Sequence, residues 1–257
     1  MKNNLSLIYI FCVLLSACAE LQPYSGADPF LPIESGAMPL HLAAAKGDSD
    51  EVRKLISEGS PVDLRTNVKK ATPLHFAAWQ GQYHTAKLLI EHGADVNATT
   101  NWGGTPLMYA SGSERGSCLT SPCSVSPGLS EGHLTVVALL IENGADVNNT
   151  GKYGSTALGS AAICNAVDVA QLLIKHGADL DVRGNQYTAL EMASSRGPDV
   201  AILMIKSGAK VNTWDRYTKT TPLHSAVQCS HQELIKVLLQ HGANPNAKDQ
   251  FGKTPYD

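Results

Sequence analysis

Clustered charge, long apolar runs and catalytic constellations are all scarce in this chain. Charged residues make up 17% of its 257 positions, 20 basic against 23 acidic, and no basic patch stands out along the sequence. Binding a nucleic-acid backbone needs clustered cations, so nucleic acid is a poor partner. The longest apolar run, Leu5 to Leu15, is shorter than the about 20 residues that cross a bilayer. No Ser-His-Asp order, carboxylate pair, glycine-rich phosphate loop or His-x-x-x-His spacing falls on a suitable element. The expectation is a protein that is not an enzyme and needs neither metal nor cofactor. Aromatic residues amount to only 6%, so where they are spent is informative.

What the chain does have is a phrase that returns. Thr72-Pro73-Leu74-His75 has relatives beginning at Met38, Thr105, Thr156, Thr188, Thr221 and Thr254, with spacings of 34, 33, 51, 32, 33 and 33 along the chain. A second phrase keeps step with it: Gly93 to Asn97, Gly144 to Asn148, Gly177 to Asp181, Gly208 to Asn212 and Gly242 to Asn246. Thr72 suits an N-cap, and Pro73 suits the first helical position, where a missing N–H costs nothing. Leu74, Ala77 and Ala78 then give a narrow apolar face, and Gly81 ends the helix in the left-handed conformation. A second helix is expected through Ala86, Leu88, Leu89 and Ile90, stopped by Gly93. The stretch from Asp95 to Gly104 turns back to the next Thr. One such unit cannot bury its own apolar face, so the units must stack.

The two phrases in phase resemble the ankyrin repeat, whose period is about 33 residues. The resemblance implies an all-α solenoid of helix-turn-helix units joined by β-hairpin-like turns. It would hold about six repeats and a partial seventh over residues 36–257, with a Ser-rich insertion at 112–130. It also implies a concave face, lined by the turn tips and the exposed side of each first helix, that binds another protein. His41, His75 and His224 would make hydrogen bonds between units. His92, His176 and His241 precede the glycine that ends a second helix, where they suit the negative end of the helix dipole. His84, His133 and His231 are expected on the surface.

The amino terminus carries a separate signal. Residues 1–17 have one Lys, the apolar run, and small residues ahead of Cys18, the layout of an export signal. Leu15-Ser16-Ala17-Cys18 looks like the lipobox of bacterial lipoproteins, with a plain secretory signal as the alternative. The resemblance implies cleavage before Cys18 and acylation of that residue. Ala19 in place of Asp then implies the periplasmic face of the outer membrane, with the lipid as the only membrane contact. Several acyl chains anchor a protein stably where one is marginal. Residues 18–35, with three Pro and two Ser from Glu20 onward, read as a flexible tether.

Six cysteines fall into three groups. Cys12 leaves with the signal and Cys18 takes the lipid. Cys118 and Cys123 are close together in the insertion, where an oxidising compartment favours a small disulfide, with free thiols as the alternative. Cys164 and Cys229 hold the same place in repeats two apart, too far for a mutual bond. They are expected as plain thiols.

Specificity should lie in what stacking leaves over. The tips carry Trp102, Tyr153, Tyr187, Trp214, Tyr217 and Phe251, and Trp79 and Ile163 occupy the exposed first-helix position. Rings in a row on rigid supports are the material of binding hot spots; alternatively, each lies against the next turn and assists stacking. Arg65, Lys69, Lys70, Lys152, Arg183, Arg216, Lys219 and Lys248 are interleaved, either to meet an acidic partner or as a solvated rim. The insertion is either a further contact or tolerated padding. The sum is a lipid-anchored scaffold of the bacterial envelope, monomeric when free, that captures or inhibits one protein. Small lipoproteins of this build resemble immunity proteins against periplasm-targeted toxins. Exported ankyrin proteins that support a periplasmic antioxidant enzyme such as catalase supply the alternative.

Overall fold

The computed structural model describes residues 38–112, 129–184 and 187–257. These residues hold twelve helices in six pairs: α1 Pro39–Lys46 and α2 Ser49–Ser57; α3 Pro73–Gln80 and α4 Tyr83–Glu91; α5 Pro106–Ala110 and α6 Glu131–Glu142; α7 Ala157–Ile163 and α8 Val167–Lys175; α9 Ala189–Arg196 and α10 Pro198–Lys206; α11 Pro222–Gln228 and α12 Gln232–Gln240. Odd-numbered helices stack on odd, and even on even, so the pairs form a two-layer all-α solenoid. The leader and tether at 1–35 lie outside the described residues, as does most of the insertion.

Each repeat starts as its residues dictate. Extended Thr105, Thr156 and Thr188 accept on their hydroxyls from Met108 N at 3.3 Å, Gly159 N at 3.0 Å and Glu191 N at 3.3 Å. Pro73, Pro106 and Pro222 fill the first helical position. Gly81 ends α3 at φ 70°. Leu40, Leu74, Leu107, Leu158, Leu190 and Leu223 share one register and are all buried. They pack with Leu89, Leu140, Leu173, Met204 and Leu238 of the second helices in a single continuous core. Buried Ala43, Ala77, Ala110, Ala161, Ala193 and Ala226 keep the first-helix row thin enough for close stacking.

Polar side chains fix the interval between units. Asn97 accepts from Asp146 N at 2.8 Å and donates to the Gly144 carbonyl at 3.0 Å. Asn148 repeats both bonds with Asp179 N and Gly177, and Asn212 repeats them with Asn244 N and Gly242. The Asn that closes the second sequence phrase is therefore a two-pronged clamp on the next repeat, satisfying backbone groups that would otherwise be orphaned.

Among the described residues there is no strand, only an isolated bridge between Arg183 and Thr188. The connections are nevertheless hairpin-like, closed by Thr66 N to Ala71 O, Thr100 N to Gly104 O, Gly151 N to Ser155 O, Gly184 N to Tyr187 O, Asp215 N to Thr220 O and Asp249 N to Lys253 O, all at 2.9 Å.

Candidate protein-binding face

Successive hairpins are stitched to one another at their tips. Asn101 N donates to Lys69 O at 2.8 Å, Lys152 N to Trp102 O at 2.9 Å and Gln250 N to Thr218 O at 2.8 Å. Between the fourth and fifth tips a side chain replaces the backbone, with Arg183 Nη1 donating to Trp214 O at 2.8 Å. The result is a rigid ledge along one side of the solenoid.

Counting from the residue that opens each hairpin, the second position onward is Val68, Trp102, Tyr153, Tyr217 and Phe251 in five of the tips. All five are exposed, Phe251 at 62%, although large apolar groups normally leave water. Trp102 and Tyr153 stack, ring centroids 5.8 Å apart and planes 29° from parallel. Trp214 stands one place before Asp215, the residue that opens its hairpin, and is 56% exposed. It borders a shallow depression of about 710 Å³ together with Arg183, Lys210 and Arg216. Val68 is a member of this row that ring counting misses, since it is aliphatic; its place in the hairpin register is the signal that finds it. Tyr187 is half-buried. Trp79 and Ile163 are also half-buried and pack against the core, with only part of each side chain at the surface.

Exposed cations outnumber carboxylates along the ledge, although Asp181 lines the same depression and pairs with Lys210 at 3.4 Å. Lys70, Lys152, Arg216, Lys219, Lys248 and Lys253 are exposed, while Asp215 is buried and Asp249 is half-buried, holding Phe251 N at 2.8 Å and Lys253 N at 2.9 Å. Two sequence-predicted cations serve the fold. Arg65 holds the Thr99 carbonyl at 2.8 Å, and Arg183 binds Glu191 at 3.1 Å as well as Trp214. Exposed carboxylates such as Glu58, Glu91, Glu142 and Glu233 sit instead on or beside the second helices.

The histidines behind the ledge are structural. Nδ1 of His41, His75 and His224 accepts the N-cap backbone N–H at 3.1 Å in each case. Nε2 therefore carries the proton and donates to the next hairpin: His41 to Leu64 O at 2.9 Å, His75 to Gly104 O at 3.1 Å and His224 to Lys253 O at 3.2 Å. In the fifth repeat Glu191 takes this seat, accepting from Thr188 N and pairing with Arg183. Two expectations fail here. His133 is buried rather than on the surface, with Nδ1 2.6 Å from Ser130 Oγ and Nε2 3.0 Å from the Trp79 carbonyl, because it holds the seat from which Gln82 reaches the Ala45 carbonyl and His231 the Ser195 carbonyl. Cys164 and Cys229 are not plain thiols, since each is disulfide-bonded. The expected Cys118–Cys123 pair lies outside the described residues.

Burial pushes His75 down to about 4 and lowers His41 as well, because a charged imidazole would lose its hydration. The unfolded chain then binds more protons than the folded one between about pH 6.5 and 4, so stability falls as pH drops through that window. For His75 alone the loss is on the order of 3 kcal/mol. Glu191, pushed up by burial, opposes it by gaining stability on acidification. Thermal unfolding followed from pH 7.5 to 4 should show a falling Tm, with a shallower fall in His75→Gln.

Among the described residues no group of three or more His, Cys, Asp or Glu side chains could hold a metal ion, and no helix is long and apolar enough to cross a membrane. A family model for ankyrin repeats in three copies matches residues 13–100, 40–120, 128–215 and 184–249, and a single-repeat model matches 102–152. The structure is similar to the human ASB11 ankyrin repeat domain, with a TM-score of 0.70 at 28% identity over 86% of this chain and 91% of that one. It is also similar to an ankyrin repeat domain from Acinetobacter baumannii AYE, with a TM-score of 0.64 at 31% identity over 80% and 98%. Among curated proteins it is 31% identical over 145 residues to the mitochondrial disaggregase of Bos taurus, matching 53% of this chain but only 21% of that protein. Repeat phrase, helix pairing, histidine seats and these likenesses agree, and the chain belongs to the ankyrin-repeat family.

Proposed function

We propose that this protein is a lipid-anchored capture protein of the bacterial envelope. Its tip ledge grips one protein, and the leading candidate is a toxin delivered to the periplasm, which it inhibits by occupying its surface. Ankyrin repeats indicate a protein-binding scaffold. The observation that carries the finer reading is the row of exposed apolar side chains, Val68, Trp102, Tyr153, Tyr217 and Phe251, held at one register on a hydrogen-bonded support. Such rings desolvate well and lose little entropy when bound, the properties of interface anchors. The interleaved exposed cations suit a partner with an acidic rim, which affects encounter rate more than final affinity. Export is supported by the Leu15-Ser16-Ala17-Cys18 motif and by the two disulfide-bonded cysteines, which fit an oxidising compartment better than the cytosol.

The test is affinity capture from envelope extract with the chain from Glu20 onward, followed by assay of whatever is retained. Retention of an envelope-attacking enzyme with loss of its activity is expected. Retention of an antioxidant enzyme with activity kept or raised would shift the assignment to the supporting role, and retention of nothing would defeat both. Anchoring has its own test. Cys18→Ser should move the protein from the membrane to the soluble fraction, and unchanged fractionation would refute lipidation.

A further inference from the structure

We propose that the depression between the fourth and fifth tips is a seat for a carboxylate of the bound protein, with Arg216 as the residue that grips it. This rests on the reading of the ledge as a protein-binding face and adds what the partner must present there, an Asp or Glu side chain beside an apolar one. The depression, about 710 Å³, is bordered by Asp181 and Arg183 on the approach to the fourth tip and by Lys210, Trp214 and Arg216 on the fifth. Exposed rings alone would accept many apolar surfaces. A concavity that sets cations beside a ring can discriminate among them, because a partner without the matching charge would leave a cation desolvated and unpaired.

Two of the three cations are already spent. Arg183 donates through Nη1 to the Trp214 carbonyl at 2.8 Å and through Nη2 to Glu191 at 3.1 Å, and only 25% of its side chain is exposed. Lys210 Nζ lies 3.4 Å from Asp181 Oδ2, and the Lys210 backbone N–H donates to Asp181 Oδ1 at 3.0 Å. The other carboxylate nearby, Asp215, is buried and turned into its own hairpin, where Oδ1 accepts from Tyr217 N, Thr218 N and the Thr218 hydroxyl. Its Oδ2 is buried and makes no bond, to Arg216 or to any other group. Arg216 is left over. It is exposed, and among the described residues its guanidinium makes no hydrogen bond or ion pair.

A free guanidinium selects its ligand by shape as well as charge. Its parallel N–H donors match the two oxygens of a carboxylate, and such charge-assisted pairs are about twice as strong as neutral hydrogen bonds. A nucleic-acid backbone or an anionic lipid surface needs several free cations together. Only one is free in this depression, which fits a single carboxylate. Trp214, two places before Arg216, and Tyr217, directly after it, are 56% and 64% exposed. A carboxylate that reaches Arg216 therefore arrives on a segment whose neighbouring side chains meet these rings, and the covered rings keep water from the ion pair and strengthen it.

The experiment tethers the full chain to a sensor and titrates two end-capped synthetic peptides, Ser-Phe-Glu-Leu-Ser and Ser-Phe-Gln-Leu-Ser. The Glu peptide should bind about tenfold more tightly than the Gln peptide. Arg216→Gln should erase that preference and leave Tm unchanged, since the group it removes bonds nothing in the folded chain, and Arg216→Lys should restore only part of it. Trp214→Ala should weaken both peptides alike. Equal binding of the two peptides by the parent chain, failure of both to bind, or a preference that survives Arg216→Gln would overturn the seat. Displacement of the Glu peptide by inorganic phosphate but not by acetate at equal ionic strength would overturn it in favour of a phosphate site. The ledge is judged separately, by capture from envelope extract. If the parent chain and Arg216→Gln retain the same partner equally well, the seat is wrong and the ledge stands. If the parent chain retains nothing while the Glu preference holds, the seat stands and the capture reading falls.

Discussion

Replacing Trp102 and Trp214 together by Ala is expected to abolish capture of the partner, with a loss of more than about 100-fold in affinity and a shift in thermal unfolding of only a few degrees. Buried aromatic anchors at interface centres cost about 2 kcal/mol or more each when truncated, and two of them exceed that fold-change. The fold has little to lose. Trp102 is 45% exposed and Trp214 56% exposed, so neither ring is part of the core. The bonds these residues contribute to the ledge come from their carbonyls, which accept from Lys152 N and Arg183 Nη1, and an Ala carbonyl serves equally well. What the double variant removes from the folded state is the stack of Trp102 on Tyr153, about 0.5–1.5 kcal/mol. In a chain of this size that corresponds to about 2–5 °C. The measurement pairs a titration of the captured protein with calorimetry of the free variant. Unimpaired binding with a Tm drop well beyond that range would show that the rings serve stacking, and the ledge would lose its claim to be the site.

The parts of this structure legible in the sequence are those the period repeats. Thr caps, first-turn Pro, the buried Leu and Ala, the glycine stops and the first-helix histidines occur several times in step, so each position is read against its equivalents. Leu74 and His75 sit as Leu223 and His224 do. Legibility fails where one repeat departs from the rest. His133 reads as a surface residue because α6 starts earlier than its equivalents, at Glu131, which hides that His133, counted from the closing glycine, matches Gln82 and His231, whose side chains also reach the first helix of the preceding repeat. Glu191 in the histidine seat is visible in the sequence, but its partner Arg183 looks like one more tip cation until the geometry joins them. The cysteines show the same limit. Cys164 and Cys229, equivalent in repeats two apart, read as plain thiols from their places in the sequence, yet each is disulfide-bonded. The candidate face was legible as a set of tip aromatics; that Val68 belongs to the row, and that Tyr187 is partly withdrawn from it, required the hairpin register and burial.

That register depends on backbones meeting without side chains, and Gly154→Ala should damage it severely. Gly154 has φ 72°, a conformation costing roughly 1–2 kcal/mol for an alanine. A new Cβ would also meet Gly184 Cα at 2.2 Å, where nothing can yield except the hairpin itself. Gly184 is equally constrained from its own side, since a Cβ there would meet the Tyr153 carbonyl at 2.8 Å. The two tips would have to part, and with them the alignment of Tyr153 relative to Tyr217 and Phe251. Gly93→Ala separates strain from contact, because Gly93 has a similar φ of 86° but nothing within 4 Å of its added Cβ. Gly93→Ala should cost only the backbone strain, about 1 kcal/mol, and keep partner binding. Gly154→Ala should lose about 3 kcal/mol or more, lower Tm by roughly 6–10 °C, and weaken capture at least tenfold in protein that is still folded at low temperature. If the two variants melt and bind alike, the hairpins do not touch as described, and a row of aligned tips has no support to hold it.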